Sequence, residues 1–274
     1  MDLKWLVNQY RQHATTMLRD IGTDSVLKRN ARFLNLHRGE RCFILDSGPS
    51  IKEQALEKLN GKIVMTQNHF HAHEKIRTIN PAYHVVVPKY QPKEFDNDWI
   101  TWLKSMDERL PGETVLFFGK NTKYLVDRLA MFEGRAYYVD TGYSASVTGK
   151  ASVDITRCLM AVPTVLTQCL AIAIYMGFKE IVLLGFDLDQ VCRAADRAKV
   201  RFYGLSPITS NKAEIDVENA SGASGGDWVQ QWIIWRQCNL LKEAAARKSI
   251  RIINATRGGL LNMFERMPYE DLLK

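Results

Sequence analysis

Short apolar runs that alternate with helical patterns constrain the fold of this sequence more than any other feature. Strand-like runs lie at Arg41–Asp46, Lys62–Thr66, Tyr83–Val87, Thr114–Phe118, Arg135–Val139, Ile181–Leu184 and Arg251–Asn254. Helical patterns lie between them, over Ser50–Leu59, Thr164–Met176 and Trp228–Ala246. Strands separated by helices favour parallel pairing with helices on both faces of the sheet. The sequence therefore predicts an α/β, Rossmann-like fold with a mostly parallel sheet.

Local signals define the ends and faces of the predicted helices. Ser50 is the expected N-cap of its helix, with Glu53 three residues later. Gly177 follows the long apolar helix and is a normal helix end. For the helix over Trp228–Ala246, the predicted buried stripe is Trp228, Val229, Trp232, Ile233, Leu240 and Ala244.

Two segments fall outside the alternation. Residues 1–40 have apolar residues at helical spacing and form a predicted helical preface. Residues 190–227 hold few large apolar residues and many Ser, Gly, Asn and basic ones, directly after a central strand. Long loops at that position in compact domains are commonly functional lids. We therefore divide the chain into the preface and a nucleotide-binding catalytic domain, residues 41–274, whose lid is 190–227.

Composition narrows the classes of partner. The net charge of +7 and the pI of about 9.1 fit nucleic acid, an anionic membrane surface or an anionic small molecule. The basic residues are spread along the chain instead of clustering with aromatics, which argues against nucleic acid. We expect no membrane span, no signal peptide and reduced cysteines, and hence a cytoplasmic protein that contacts the inner face of the membrane peripherally. The sequence is compatible with a homo-oligomer.

The first strand runs into the turn Asp46-Ser47-Gly48-Pro49-Ser50. Backbone N–H groups of Ser47, Gly48 and Ser50 at such a turn can face an anion, and Gly48 permits close approach of the backbone. The turn therefore predicts a phosphate or nucleotide site, and a plain strand-to-helix turn is the alternative. The carboxylate of Asp46 fits a ribose hydroxyl or a metal better than a phosphate.

The second strand leads into TQNHFHAHEK, which places Asn68 at the same sheet edge as Gly48. An asparagine there can contact a nucleotide through both its donor and its acceptor. His69, His71 and His73 alternate, but the strand is expected to end before them, and no further cluster completes a zinc site. A substrate contact or a base among His69 and His71, or solvated histidines, remain the alternatives.

Polar residues also follow the other strands at this edge. Asp187 and Asp189 follow Ile181–Leu184 and are candidates for a general base or for capping a turn. Asn254 and Thr256 follow the last strand and either bind a ligand or stabilise the turn. Thr164, the first residue of the long apolar helix, is another nucleotide-binding candidate. The lid carries four further substrate-binding candidates, suited to phosphate or a carboxylated sugar: Arg193, Arg197, Arg201 and Tyr203.

These stretches, in their order along residues 40–272, resemble a known family. RCFILDSGPSI, QNHF, MGFKEIVLLGFDLD, RFYG and RIINATRGGLLNMFERMPYEDLL resemble bacterial proteins related to archaeal 6-hydroxymethylpterin diphosphokinase, which are commonly associated with synthesis of surface polysaccharides such as capsule and lipopolysaccharide. The same layout resembles the bacterial sialyltransferases of glycosyltransferase family 42. They share a Gly-Pro-Ser turn, an Asn-aromatic pattern after the second strand, and a G-[IF]-D motif before a lid.

The resemblance implies a nucleotide at the Gly-Pro-Ser turn. Gly48, Pro49 and Ser50 would contact its phosphates and ribose, Asn68 would contact the donor, and Asp187 would lie near the reaction centre. The sequence departs from the family pattern in three places. The turn usually reads Gly-Asn-Gly-Pro-Ser, and the lid of the related polysaccharide proteins often reads His-Phe-Tyr, where this chain has Arg201-Phe202-Tyr203. The sialyltransferases place a catalytic histidine in the lid, whereas this chain has no histidine after His84. A base must then come from Asp187, Asp189 or one of His69 and His71.

The leading hypothesis is a glycosyltransferase that moves a sugar, such as a carboxylated CMP-linked one, from a nucleotide donor to a glycan or lipid-linked acceptor. Inversion at the anomeric carbon and freedom from a metal cofactor are implied by the sialyltransferases. The second hypothesis is an ATP-dependent diphosphokinase, in which Asp46, Asp187 and Asp189 would hold Mg²⁺. The third is a nucleotide-binding subunit without catalysis, which the missing lid histidine motivates.

Overall fold

A parallel sheet of nine strands organises the protein, and its order is β6-β5-β4-β3-β2-β1-β7-β8-β9. The computed structural model describes residues 24–89, 91–143, 149, 151–161, 163–189, 192, 202 and 225–274. The strands are β1 Arg41–Leu45, β2 Ile63–Gln67, β3 Tyr83–Val85, β4 Val115–Gly119, β5 Ala136–Tyr143, β6 Cys158–Met160, β7 Glu180–Leu184, β8 Arg251–Asn254 and β9 Glu265–Arg266. All the paired neighbours run parallel, which confirms the predicted Rossmann-like α/β fold.

Helices cover both faces of this sheet. The α-helices are α1 Ser25–Lys28, α2 Ile76–Ile79, α3 Asp96–Arg109, α4 Lys123–Leu129, α5 Val165–Met176 and α6 Gly225–Ala246. Short 3₁₀ helices span Arg29–Phe33, Pro49–Glu53, Leu56–Leu59, Asn68–Ala72, Lys93–Phe95, Lys120–Thr122 and Tyr269–Leu272. Among the described helices, none combines the length and apolar character needed to cross a bilayer.

The predicted α-helix over Ser50–Leu59 is wrong, because two separate 3₁₀ helices stand there. Ser50 lies inside the first of them and does not cap it, since its hydroxyl bonds Asp187 across the sheet edge. Gln54 interrupts the helical pattern in an extended conformation, from which its Nε2 donates to the carbonyl of Ala255 at 2.8 Å. Tertiary hydrogen bonds thus override the local helical pattern.

The direction of the crossovers changes at β1. From β1 the chain proceeds outwards through β2 to β6, and it then returns to β7 on the other side of β1. In the register, Phe43 lies opposite Val64 on one side and opposite Val182 on the other. Open α/β sheets bind ligands in the crevice that forms where the strand order reverses. The carboxyl ends of β1 and β7 are therefore the place to look for a site.

Alternating side chains of the central strands divide the interior into two cores. Cys42 and Ile44 pack into the core that contains α5 and the buried side of α6. Phe43 and Leu45 point to the opposite core, which α3 and the C-terminal 3₁₀ helix complete. Strands that are buried on both faces read as continuous apolar runs, and this explains why the central strands are easy to recognise in the sequence.

Helix α5 is buried over its whole length, as its apolar sequence predicts. Thr164 caps its start, with the hydroxyl accepting from the N–H of Leu166. Gly177 ends it in a left-handed conformation at φ +80°, so the predicted helix end is confirmed.

The buried face of α6 differs from the predicted one. Trp228, Val229 and Trp232 are exposed. The fully buried residues of α6 are Gln231, Ile234, Gln237, Cys238, Leu241, Ala244 and Ala245. Of the predicted stripe, only Ala244 is fully buried, while Ile233 and Leu240 are half-buried. Helix α6 packs against α5, and the rings of Trp228 and Trp232 are left on the outer side.

The described part of the preface, residues 24–40, packs onto the sheet. Phe33 belongs to the core on the α5 side, where it meets the ring of Phe117 edge-on at 5.1 Å. Asn30 is fully buried, and its Nδ2 donates to the carbonyls of Tyr138 and Ile155, both at 2.7 Å. One amide thus joins the preface, the first half of β5 and the segment before β6.

This arrangement predicts a large stability cost for Asn30→Ala. The substitution leaves two buried carbonyls without a donor, and we expect a loss of about 2 kcal/mol in the free energy of unfolding. Asn60→Ala is the matched control, because its Nδ2 donates to one carbonyl, of Thr78, at the exposed surface. It should cost under about 0.5 kcal/mol. Urea denaturation of both variants checks this, and equal losses would contradict the buried bridge.

Candidate functional site

The turn after β1 bonds to its own residues and to the turn after β7. The N–H of Ser47 donates to Oδ1 of the half-buried Asp46 at 2.7 Å. The N–H of Gly48 donates to the carbonyl of Gly185 at 3.0 Å. Three N–H groups were predicted to face an anion, and two of them, those of Ser47 and Gly48, donate to oxygen atoms of the protein instead. The prediction is corrected for these two groups.

Gly48 is required by the packing of this turn. A Cβ atom at Gly48 would fall well inside contact distance of the Asp187 carboxylate and of the Gly185 carbonyl. Oδ2 of Asp187 also accepts a hydrogen bond from the hydroxyl of Ser50 at 2.8 Å. Pro49, between these two residues, begins the 3₁₀ helix. The Gly-Pro-Ser turn is therefore built to hold the Asp187 carboxylate.

The two aspartates after β7 occupy different environments. Asp187 is buried, and its carbonyl accepts from the N–H of Leu260 at 2.8 Å. Gly259 allows that approach, since a Cβ there would come within 2.6 Å of the same carbonyl oxygen. Asp189 is half-buried, and its carbonyl accepts from the N–H of Cys192. Of these two carboxylates, Asp189 is the more accessible to a substrate.

Asn254 and Thr256 are buried at the end of β8 and bond to the protein. The Asn254 side chain accepts from the N–H of Thr256 at 3.0 Å and donates to the carbonyl of Leu261. The Thr256 hydroxyl accepts from the N–H of Phe186 at 3.0 Å. Of the two alternatives drawn from the sequence, these contacts match stabilisation of the turn.

Asn68 joins the ends of β2 and β3. It has a left-handed backbone, with φ +44°, which asparagine tolerates better than most residues. Its Oδ1 accepts from the N–H of Val87 at 2.9 Å. The residue lies at the carboxyl edge of the sheet, as predicted, and part of its bonding capacity is used to shape that edge.

The histidines after β2 turn into the interior. His69 stacks on Trp102 at a ring distance of 4.5 Å, and His71 lies between the carbonyl of Asn68 and the hydroxyl of Ser105. Burial lowers the pKa of His71 to about 3, so its ring is neutral. His84 is buried beside it, and burial holds its pKa well below the usual value. A base or substrate contact needs access to the crevice, so we leave His69 and His71 out of the proposed site.

Most of the predicted lid lies outside the described residues, including Arg193, Arg197, Arg201 and Tyr203. Phe202 is described, and it is joined to two site elements. Its N–H donates to the carbonyl of Ser47 at 2.8 Å. Its ring packs edge-on against Phe70 at 5.4 Å and against His73 at 5.0 Å. Phe202 itself is therefore held at the turn after β1.

The start of α5 contributes side chains that the sequence reading missed. Cys169 donates from Sγ to Oε1 of Gln67 at 3.5 Å. Burial and the charge of Asp46 raise the pKa of Cys169, so Asp46 lies near α5. Gln168 is buried, and both of its amide atoms lack a hydrogen-bond partner in the described chain. A polar residue in the first turns of an otherwise apolar helix is the signal that could have identified it.

A second concave feature lies at the end of β8. This cavity of about 370 Å³ is next to the 3₁₀ helix Pro49–Glu53. Its walls include Gln54, Thr256, Arg257 and Arg266. Among the described residues, no group of three or more His, Cys, Asp or Glu side chains is arranged to hold a metal ion.

Comparison with solved structures found sialyltransferases. The sialyltransferase CstII from Campylobacter jejuni, in complex with a substrate analogue, cytidine-5′-monophosphate, has 14% sequence identity and a TM-score of 0.48, over 84% of this chain and 85% of that chain. CST-II in complex with trisaccharide acceptor and CMP has 15% identity and a TM-score of 0.48, over 83% and 86%. A mammalian sialyltransferase in complex with Gal-beta-1-3GalNAc-ortho-nitrophenol has 11% identity and a TM-score of 0.36, over 92% and 86%.

Comparison of the sequence with protein-family models found no match. A search of curated proteins found none either. The three solved structures are sialyltransferases, and none of these findings supports the relation to the diphosphokinase.

The packing at Gly48 predicts that Gly48→Ala is strongly destabilising. The new methyl group must displace the Asp187 carboxylate or the Gly185 carbonyl, and overpacking of this kind costs about 1–3 kcal/mol. Thermal unfolding should show a melting temperature lower by roughly 3–10 °C.

Gly112→Ala is the matched control for this substitution. No atom lies within 4 Å of the position where its Cβ would be placed. Its melting temperature should stay within about 1 °C of the wild type, in keeping with a neutral surface change. A Gly48→Ala variant that melts like Gly112→Ala would show that the turn has room for a side chain.

The buried histidines predict a loss of stability in acid. The pKa of His71 is about 3 in the folded chain and about 6.5 when exposed, so the unfolded chain binds more protons below pH 6.5. The stabilisation is complete above pH 6.5 and declines as the pH falls towards 3. Between pH 7 and pH 5, His71 alone should account for about 2 kcal/mol.

His71→Gln removes this titration. Denaturant unfolding of the variant at pH 7 and pH 5 should show a smaller difference between the two pH values than in the wild type. An identical pH dependence would show that His71 is not buried as a neutral ring.

Proposed function

We propose that this chain is a glycosyltransferase that takes its sugar from a nucleotide donor bound at the carboxyl ends of β1 and β7. The observation that supports this most is the position of the predicted motifs. Asp46–Ser50, Asn68, Thr164 and Asp187–Asp189 all follow strands or begin a helix at the same edge, around the point where the strand order reverses. Crevices of this kind bind nucleotides in open α/β sheets.

The donor nucleotide fits best on the α5 side of this crevice. Asp46 lies there beside Gln67, because the preceding Leu45 pairs with Thr66 in β2. Thr164 caps α5, a helix of 12 residues whose N-terminal end favours phosphate. Ser47 and Asn68 border the crevice from β1 and β2. The ribose would contact Asp46, and the phosphates would lie near Thr164.

A carboxylated sugar linked to CMP suits the remaining charges. Phe202 bonds to the turn after β1, and in the sequence the predicted lid that contains it also carries Arg193, Arg197, Arg201 and Tyr203. Guanidinium groups pair with carboxylate and phosphate through two parallel hydrogen bonds. They would neutralise the donor on binding and stabilise the nucleotide as it leaves.

Asp189 is the proposed general base. In the reaction, an acceptor hydroxyl attacks the anomeric carbon, its proton passes to Asp189, and the bond to the nucleotide phosphate breaks. Asp187 is a positioning residue, since its carboxylate is buried and bonded to Ser50. The acceptor is a glycan or a lipid-linked glycan of a bacterial surface polysaccharide, and the proposed location is the cytoplasm. We propose that no metal cofactor is required.

Thermal-shift measurement with CMP, CDP, UDP, GDP, ATP and CMP-sialic acid, each with and without Mg²⁺, tests the donor class. A ligand at a hundred times its Kd stabilises the folded chain by about 2.7 kcal/mol, which raises the melting temperature by several degrees. We expect a shift with CMP and CMP-sialic acid that does not depend on Mg²⁺. A shift only with ATP and Mg²⁺ would favour the diphosphokinase, and no shift with any of them would overturn the nucleotide site.

Substitution of the two aspartates separates catalysis from positioning. Asp189→Asn should keep the nucleotide-induced shift and lower the release of CMP from the donor about 100-fold or more, because the base is lost. Asp187→Asn should instead lower the melting temperature and weaken the shift. Unchanged turnover in Asp189→Asn, measured in an assay in which the wild type is active, would rule out Asp189 as the base.

A further inference from the structure

Two turns of α6 expose an apolar surface. Trp228 is 58% exposed, Val229 58% and Trp232 54%, and we call these three residues the α6 patch. They are close in sequence and lie on the side of α6 that faces away from α5. Isolated apolar residues at the surface are ordinary, but a contiguous group that includes two indole rings indicates an interaction site.

The α6 patch lies beside the mouth of the proposed site. Nε2 of Gln230 donates to the carbonyl of Pro163, directly before Thr164, at 2.9 Å. Nε2 of Gln231 donates to the carbonyl of Leu188 at 3.2 Å. Another exposed apolar side chain, Leu260, follows β8 at the same edge, with its N–H bonded to the carbonyl of Asp187. A surface that meets the patch would therefore also face the opening of the crevice.

One basic side chain adjoins the patch, and the chain as a whole is basic. From Asp227 to Glu243 the sequence contains four charged residues, the acidic Asp227 and Glu243 at the ends and the basic Arg236 and Lys242 between them. The guanidinium of Arg236 lies over the ring of Trp232, 5.6 Å from its centroid. The chain as a whole carries a net charge of +7. Tryptophan with basic neighbours is typical of protein surfaces that lie in the headgroup region of anionic membranes.

Two other occupants fit the patch less well. A sugar ring needs hydrogen-bonding side chains beside the aromatic rings, but the amide nitrogens of Gln230 and Gln231 are used by main-chain carbonyls, and Val229 offers only aliphatic surface. A second copy of the chain needs about 800 Å² from each partner. The exposed parts of three side chains supply on the order of 300–400 Å².

We propose that the α6 patch docks the protein onto an anionic lipid surface and so presents the crevice to a lipid-linked acceptor. Binding of the patch to lipid requires no nucleotide donor, so it can be measured whether or not the chain is a transferase. The suggested purpose of docking, which is to reach a lipid-linked acceptor, rests on the proposed transferase function.

Co-sedimentation of the full chain with vesicles tests the docking. We expect binding to vesicles of phosphatidylcholine with 30% phosphatidylglycerol, which weakens in 0.5 M NaCl and is weak on pure phosphatidylcholine. Trp228→Gln combined with Trp232→Gln should weaken the binding about tenfold or more. Brominated lipids should quench part of the tryptophan fluorescence of the wild type and less of that of the double variant.

Leu34→Ser combined with Leu36→Ser is the matched control. These two leucines are 53% and 52% exposed and follow the 3₁₀ helix Arg29–Phe33, away from the α6 patch. The control should bind the vesicles as the wild type does. The melting temperature of the tryptophan variant should stay unchanged, because the exposed rings support no core.

Several results would overturn the proposal. Failure of the wild type to bind either kind of vesicle would do so, as would equal weakening of vesicle binding in the tryptophan and leucine variants.

Other results would identify a different occupant of the patch. If the tryptophan variant binds vesicles fully but no longer binds a soluble glycan acceptor, the patch is a binding surface for sugar. A wild-type dimer that the tryptophan variant converts to a monomer would identify a second copy as the occupant. A melting temperature lowered by several degrees would mean that the patch packs against the chain itself. None of these results depends on the outcome with nucleotides.

Discussion

The contact between the turns after β1 and β7 is the constraint on which the candidate site depends. Gly48 has no side chain because the Asp187 carboxylate and the Gly185 carbonyl occupy the space next to its Cα. The hydroxyl of Ser50 completes the contact from the 3₁₀ helix Pro49–Glu53, and the N–H of Gly48 donates to the carbonyl of Gly185 in the turn after β7. Strands β1 and β7 are neighbours in the sheet although they are far apart in the sequence, because the strand order reverses between them. The contact between their turns therefore lies where the two halves of the sheet meet.

The sequence was sufficient to predict the sheet because its central strands are buried on both faces. Arg41–Leu45 and Glu180–Leu184 are apolar at nearly every position, and each is followed at once by a polar or glycine-containing turn. Strands β6 and β9 went unnoticed, since β9 has two residues, both exposed, and β6 stands shortly before the long apolar helix that starts after Thr164. The edge of the sheet that carries the candidate site was thus predictable, because it is formed by the carboxyl ends of the strands that the sequence reveals.

The bonding within the site was not predictable, because it depends on contacts between residues far apart in sequence. Ser50 has the pattern of a helix cap, yet its partner is Asp187, 137 positions away. His71 follows a strand like a surface residue, yet Ser105 of α3 and the carbonyl of Asn68 enclose it. Helix α6 has apolar residues on more than one side, so its sequence does not show which side is buried. That depends on how α6 packs against α5. A periodic pattern reveals an amphipathic helix but not the size of the neighbour that covers it.

The two carboxylates nearest the strand reversal have different surroundings, and this bears on the chemistry available. The charge of Asp46 is felt by Cys169 on α5, while Asp187 is held by Ser50 on the side of the 3₁₀ helix Pro49–Glu53. A diphosphokinase would require the two carboxylates to share one ion, whereas each of them bonds within its own surroundings, Asp46 to the N–H of Ser47 and Asp187 to the hydroxyl of Ser50. In the proposed transferase, both carboxylates keep their present partners. Asp46 borders the nucleotide, Asp187 stiffens the turn, and Asp189, placed one step further along the chain, remains accessible for proton transfer.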